Sequence, residues 1–189
     1  MSILHFVTHP EVAVDASIPV PSWSLSEVGR ARMHAFADSP WLAGIGMIFS
    51  SEERKAVEAA QIVSQRLGLP VRQRQALGEN DRSATGFLHK EAFEAAADAF
   101  FQFPLESYRG WETAQAAQQR IVRAVDELLA ESAGHDVLVV SHGAVGTLLK
   151  CHLKGVAIDR REDQTSQGHH FAVDIPSRRL VHDWLPIPR

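Results

Sequence analysis

The sequence predicts an α/β fold with a mostly parallel sheet. Short apolar runs of strand length alternate along the chain with stretches of helical periodicity. Two of those runs end in the same way, with a small hydroxyl residue, a histidine and a helix-breaking residue. Two helical stretches follow a Ser-x-x-Glu pattern of the kind that opens a helix.

The elements follow in order. Residues 3–7 form a short apolar run read as a buried strand, and residues 12–23, with Pro19 and Pro21, read as an ordered loop. Ser24-x-x-Glu27 predicts a helix over 25–37. A second strand at 45–49 stops at Ser50-Ser51. Ser50-x-x-Glu53 then predicts a helix carrying Ala56, Ala59, Ala60, Ile62, Val63 and Leu67 on its apolar face, closed by Gly68. Residues 71–74 are a weaker strand. The polar stretch 76–89 is longer than most connections in compact domains, and such loops often carry function. Helices are expected at 90–101, 112–131 and 143–153, a strand at 137–140, and a closing strand pair at 171–175 and 179–184.

Composition bounds the class. The 189 residues fit one domain, 1–189, and 45% hydrophobic residues supply a substantial core. A net charge of −4 argues against a broad nucleic-acid binder. A single cysteine, Cys151, excludes an internal disulfide and any Cys-rich zinc module. There is no basic residue before Arg30 to start a secretory signal, and no apolar run approaches membrane-spanning length. A cytoplasmic protein is expected. Its least ordinary number is ten histidines.

The rhyming strand ends are Thr8-His9-Pro10 and Ser141-His142-Gly143. Ligands of open parallel sheets bind beyond the carboxyl ends of the strands, so two histidines there can meet across one pocket. The second strand adds Ser50, Ser51, Arg54 and Lys55 at the same edge. Cations in the first turn of a helix oppose its dipole, and they make sense if an anion binds between them.

These segments together resemble the histidine phosphatase superfamily, also called phosphoglycerate mutase-like, whose hallmark is a strand ending in Arg-His-Gly. The matching stretches are 4–11, 23–30, 50–56, 77–79 and 139–143, in the family's order. The resemblance implies a three-layer α/β/α sandwich and a phosphohydrolase acting on a small phosphomonoester. It also implies His9 as a nucleophile forming a phosphohistidine, His142 stabilising the phosphoryl oxygens, and Glu79 as general acid. Thr8, Arg54, Lys55 and Gly143 would bind phosphate, with no cofactor.

The match has departures. Thr8 stands in place of the family arginine and Pro10 in place of the glycine. A hydrogen bond to a charged group contributes about 1.5–3 kcal/mol, so losing the arginine fork puts about 10- to 150-fold at stake. A catalytically impaired member that binds a phosphorylated ligand or partner without efficient turnover is therefore the alternative. Lys55 aligns with the second family arginine by count; allowing a one-residue slip, Arg54 is preferred as the phosphate fork and Lys55 as support. Asp81 competes with Glu79 for the acid role, and Arg82 reads more naturally as a solvent-facing loop residue. The 110–112 segment matches the family's Gly-Glu-Ser imperfectly.

Trp23, Phe87 and Trp111 are candidates for an apolar mouth. No metal site is expected, because no helical His-x3-His pair or His-Glu-x-x-His pattern occurs and His169 and His170 would face opposite ways in a strand. The expected partner is a small phosphorylated substrate, with neither nucleic acid nor membrane, and oligomeric state is left open.

Overall fold

The first apolar run becomes strand β1 (Ile3–Thr8), buried at every position after the first. The computed structural model describes residues 2–189. Strands β2 (Ile45–Ser50), β3 (Val71–Gln73) and β4 (Asp136–Ser141) join β1 in parallel, and β5 (His169–Asp174) and β6 (Arg179–Pro186) close the sheet antiparallel to their neighbours. The order is β3-β2-β4-β1-β5-β6.

Five helices cover the two faces. Helices α1 (Glu27–Ala37) and α2 (Arg54–Leu67) pack on one side through Met33, Phe36, Ala59 and Val63. Helices α3 (Lys90–Gln102), α4 (Ala114–Glu131) and α5 (Gly143–Lys154) cover the other with Phe100, Ile121, Leu128 and Leu148. The three-layer α/β/α sandwich is the expected one.

Both helix-opening serines are displaced from their expected positions. Ser26, rather than Ser24, caps α1 by accepting from the Gly29 N–H at 3.0 Å. Helix α2 begins after Glu53 with no side-chain cap, because Ser50 is still strand. Gly29 has a further reason to be glycine: a Cβ there would lie 2.2 Å from the Glu11 carbonyl oxygen. The chain leaving β1 can therefore lie directly on the first turn of α1. The 76–89 connection remains a loop apart from the end of a short 3-10 turn, Gln75–Leu77. No helix among the described residues is long and apolar enough to cross a membrane.

Candidate active site

The register of the central strands brings the two histidines together. Thr8 pairs with Ser141 across β1 and β4, so His9 and His142 each stand one residue beyond a matched pair. The His9 amide donates to the Ser141 carbonyl at 3.0 Å, and the two imidazole centroids lie 5.2 Å apart. Both rings are buried.

Their partners define their chemistry. His9 Nδ1 lies 2.9 Å from the Pro10 carbonyl. A carbonyl only accepts, so Nδ1 carries the proton and Nε2 keeps its lone pair. Burial, reinforced by the Lys55 ammonium, pulls the His9 pKa down to about 4, leaving a neutral ring at physiological pH. His142 Nε2 lies 2.7 Å from Ser51 Oγ, and burial likewise holds this ring well below the usual histidine range.

Glu79 is held by the start of α5. Its carboxylate accepts from the Val145 amide at 3.1 Å and the Ala144 amide at 3.3 Å. Burial raises its pKa against the opposing pull of Arg82, and so favours the protonated form. Asp81 differs in kind. It is tied to the Ser83 hydroxyl and amide, which lower its pKa, and it lies on the exposed side of the loop. The loop itself is fixed by Arg120, which donates to the carbonyls of Ala76, Gly78 and Glu79 while pairing with Glu112. Sequence reasoning missed Arg120; its signal was one arginine on the helix facing the acid-bearing loop.

The residues expected to bind phosphate come together only in part. Arg54 does not reach the cluster. Its side chain is 58% exposed and pairs with Glu58 one helical turn on, at 2.9 Å. Adjacent helical residues point about 100° apart, so one of the two cations had to face away. Lys55 is the one that faces in. It is buried, donates to the Val20 carbonyl at 3.0 Å and pairs with Glu53.

Glu53, unnoticed in the sequence except as a helix-start residue, occupies the centre of the set. One oxygen pairs with Lys55; the other accepts from the Glu79 amide at 2.9 Å and lies 3.4 Å from His142 Nε2. Burial acts to raise its pKa, but His142 and the Lys55 ammonium hold it at about 2. His142 is itself kept neutral, so the ammonium is the stronger partner. The protein thus places its own anion against Lys55, the cation expected to support phosphate binding.

Thr8 is committed elsewhere. Its hydroxyl donates to Gln164 Oε1 at 2.7 Å and accepts from the His169 amide at 3.0 Å. Gln164 also lies against Gly143, where a Cβ would meet its Nε2 at 2.6 Å. Gly143 therefore serves the close approach of this glutamine. Thr8 contributes no fork of donors.

A cavity of about 1020 Å³ adjoins the cluster through Glu53, Glu79 and Arg82, which line it, whereas His9 and His142 do not. Arg82 is a cavity residue, its guanidinium 5.0 Å from the Phe93 ring centroid. Of the expected apolar mouth only Phe87 is on the wall. Trp23 is buried behind it with ring centroids 5.5 Å apart, and Trp111 belongs to the core beside Phe100 and Tyr108.

A family model described as histidine phosphatase superfamily (branch 1) matches residues 11–173, a span that begins two residues after His9. No curated protein sequence matches the chain. Among solved structures, YhfR of Bacillus stearothermophilus is similar at TM-score 0.82 and 22% identity, over 97% of this chain and 95% of that one. A mycobacterial glucosyl-3-phosphoglycerate phosphatase bound to inorganic phosphate gives 0.77 and 19%, over 100% and 98%. A putative alpha-ribazole-5'-P phosphatase from Escherichia coli gives 0.72 and 22%, over 100% and 96%.

Proposed function

Because the chain belongs to the histidine phosphatase superfamily, we propose that it is a phosphohydrolase of small phosphomonoesters, working through a phosphohistidine on His9. The observation that carries this reading is the tautomer of His9: a ring locked through Nδ1, neutral, with Nε2 free, beside a second buried histidine. In the first step Nε2 attacks phosphorus, the P–N bond forms and the P–O bond to the alcohol breaks. Glu79 gives its proton to the departing oxygen. In the second step the Glu79 carboxylate takes a proton from water, which attacks phosphorus and frees His9. Lys55 neutralises charge on the equatorial oxygens and His142 offers them a ring N–H, which is most of what phosphoryl transfer asks of a protein. This requires the Glu53 carboxylate to yield its place at Lys55 when phosphate enters.

The named phosphatases of similar fold act on small phosphorylated molecules, and a net charge of −4 suits a small substrate better than a nucleic acid or an anionic membrane. The buried, unpaired Cys151 fits the cytoplasm. A second reading, binding of a phosphorylated ligand or partner without efficient turnover, is favoured by the engaged Thr8 hydroxyl and by Glu53 at the phosphate cation.

Phosphate release from an aryl phosphate separates the two. We expect slow release by the wild type and a fall of roughly 10³-fold or more in His9→Ala. Equal release by both proteins would exclude turnover at His9 and leave the binding reading.

A further inference from the structure

On the α1 side of the sheet lies a second group of histidines, remote from the phosphate pocket. His5, His170 and His182 come from β1, β5 and β6. Their placement follows from the register: His5 pairs with Ala172, Ala172 pairs with His182, and His170 precedes Ala172 by two residues, on the same face. Each ring offers one nitrogen such that the three lie within 4.8 Å of one another. His5 Nδ1, His170 Nδ1 and His182 Nε2 are all buried without a hydrogen-bond partner in the protein. Three orphaned ring nitrogens in one place are not ordinary packing, since buried polar atoms are nearly always satisfied.

The surroundings complete a site. Trp41 packs against all three rings, with centroid separations of 6.4 Å to His5, 5.6 Å to His170 and 5.0 Å to His182. Phe36 packs on His170 from α1 at 5.2 Å. Trp41 is 44% exposed and His182 half-buried, which gives a small ion a way in past the indole. The His182 Nδ1 donates to the Asp183 carbonyl at 2.8 Å, and this fixes the ring orientation and leaves Nε2 as the nitrogen available to a metal.

We propose that His5, His170 and His182 bind one divalent d-block cation, with zinc as the best fit. Imidazole is a preferred ligand of zinc, and three protein nitrogens leave a fourth position for water. Bonds of about 2.0–2.1 Å in tetrahedral geometry hold nitrogens about 3.4 Å apart, so ring movements of about an ångström close the site. The ion would tie β1 to the antiparallel edge of the sheet. It plays no part in phosphoryl transfer: His5 lies four residues up the strand from His9, about 13 Å away.

Titration of the metal-free full-length protein with Co²⁺, followed by visible absorption, tests this, together with X-ray absorption of the Zn²⁺-loaded wild type. We expect one equivalent with a tetrahedral spectrum, a first shell of three imidazoles and one oxygen, and a rise in Tm with Zn²⁺. His182→Gln should weaken binding by more than about 100-fold, beyond the ~10–100-fold that losing an outer partner costs. His9→Ala should bind as the wild type does. The proposal is overturned if the wild type binds no stoichiometric metal, or if the first shell holds fewer than three imidazoles. Loss of binding in His9→Ala overturns it too, by placing the ion in the phosphate pocket. The X-ray measurement needs no variant to fold, and none of these outcomes depends on phosphatase activity.

Discussion

Strand β1 carries one histidine, His5, and a second, His9, follows directly on its end; the protein treats them differently. His9 sits beyond the strand end among charges: Lys55, Glu53 and Arg82 all act on it and on His142. His5 sits within the strand among rings, Trp41, His170 and His182, with the Asp136 carboxylate as a weaker influence. Both rings are neutral, yet for unlike ends. A neutral histidine with one nitrogen locked and charged groups around it is suited to reacting with an anion. Three histidines with orphaned nitrogens and few charges around them are suited to holding a cation.

The sharpest break in this comparison is His9→Ala, expected to remove phosphate release while leaving the metal stoichiometry intact; His182→Gln should do the reverse. A smaller effect separates the two cations of α2. Lys55→Met should weaken inorganic phosphate binding by roughly 10- to 100-fold, as loss of a charge-assisted contact does, whereas Arg54→Ala should change it less than about twofold. Isothermal titration with phosphate reads both. Smaller again is Glu53→Gln, which removes the resident anion from Lys55. It should tighten phosphate binding by roughly tenfold, and an unchanged or weaker affinity would show that Glu53 does not compete with phosphate.

Acid stability gives the mildest test. His5, His9 and His170 have folded pKa values of about 4, 4 and 3 against an unfolded value near 6.5, so below pH 6.5 the unfolded chain takes up protons that the folded one refuses. Stability should fall as pH drops from about 6.5 towards 4. The Glu53 carboxylate, held at about 2, adds a further loss from about 4.5 towards 2. Urea midpoints measured across pH 4–8 should decline steadily on the acid side, and His182→Gln should retain most of that slope.

Much of the fold was legible because strand and helix periods are local. The five helices and six strands lie close to where the apolar patterns place them; the exceptions are helix starts, where Ser24 and Ser50 offered capping patterns that the chain did not use. Ser50 is paired in the sheet, and sheet pairing outweighed a local cap. The meeting of His9 and His142 was legible too, because parallel topology gathers strand ends at one edge. The choice between Arg54 and Lys55 was not, since it depends on the rotation of α2 about its axis, fixed by how Ala56, Ala59 and Ala60 pack on the sheet. Arg120 and Gln164 were missed because each acts on loops far away in sequence.

By itself, then, the sequence determined the layered architecture, the family and the pair of histidines at the strand ends, because each of these is written in short-range pattern. Only the tertiary structure decided which cation of α2 is buried, that Glu53 pairs with it, and that three histidines converge on β1, β5 and β6. His5 is separated from His170 and His182 by most of the chain, and the antiparallel return of the last two strands is what brings them within reach. Charge and coordination act through space, and distance along the chain carries no trace of them.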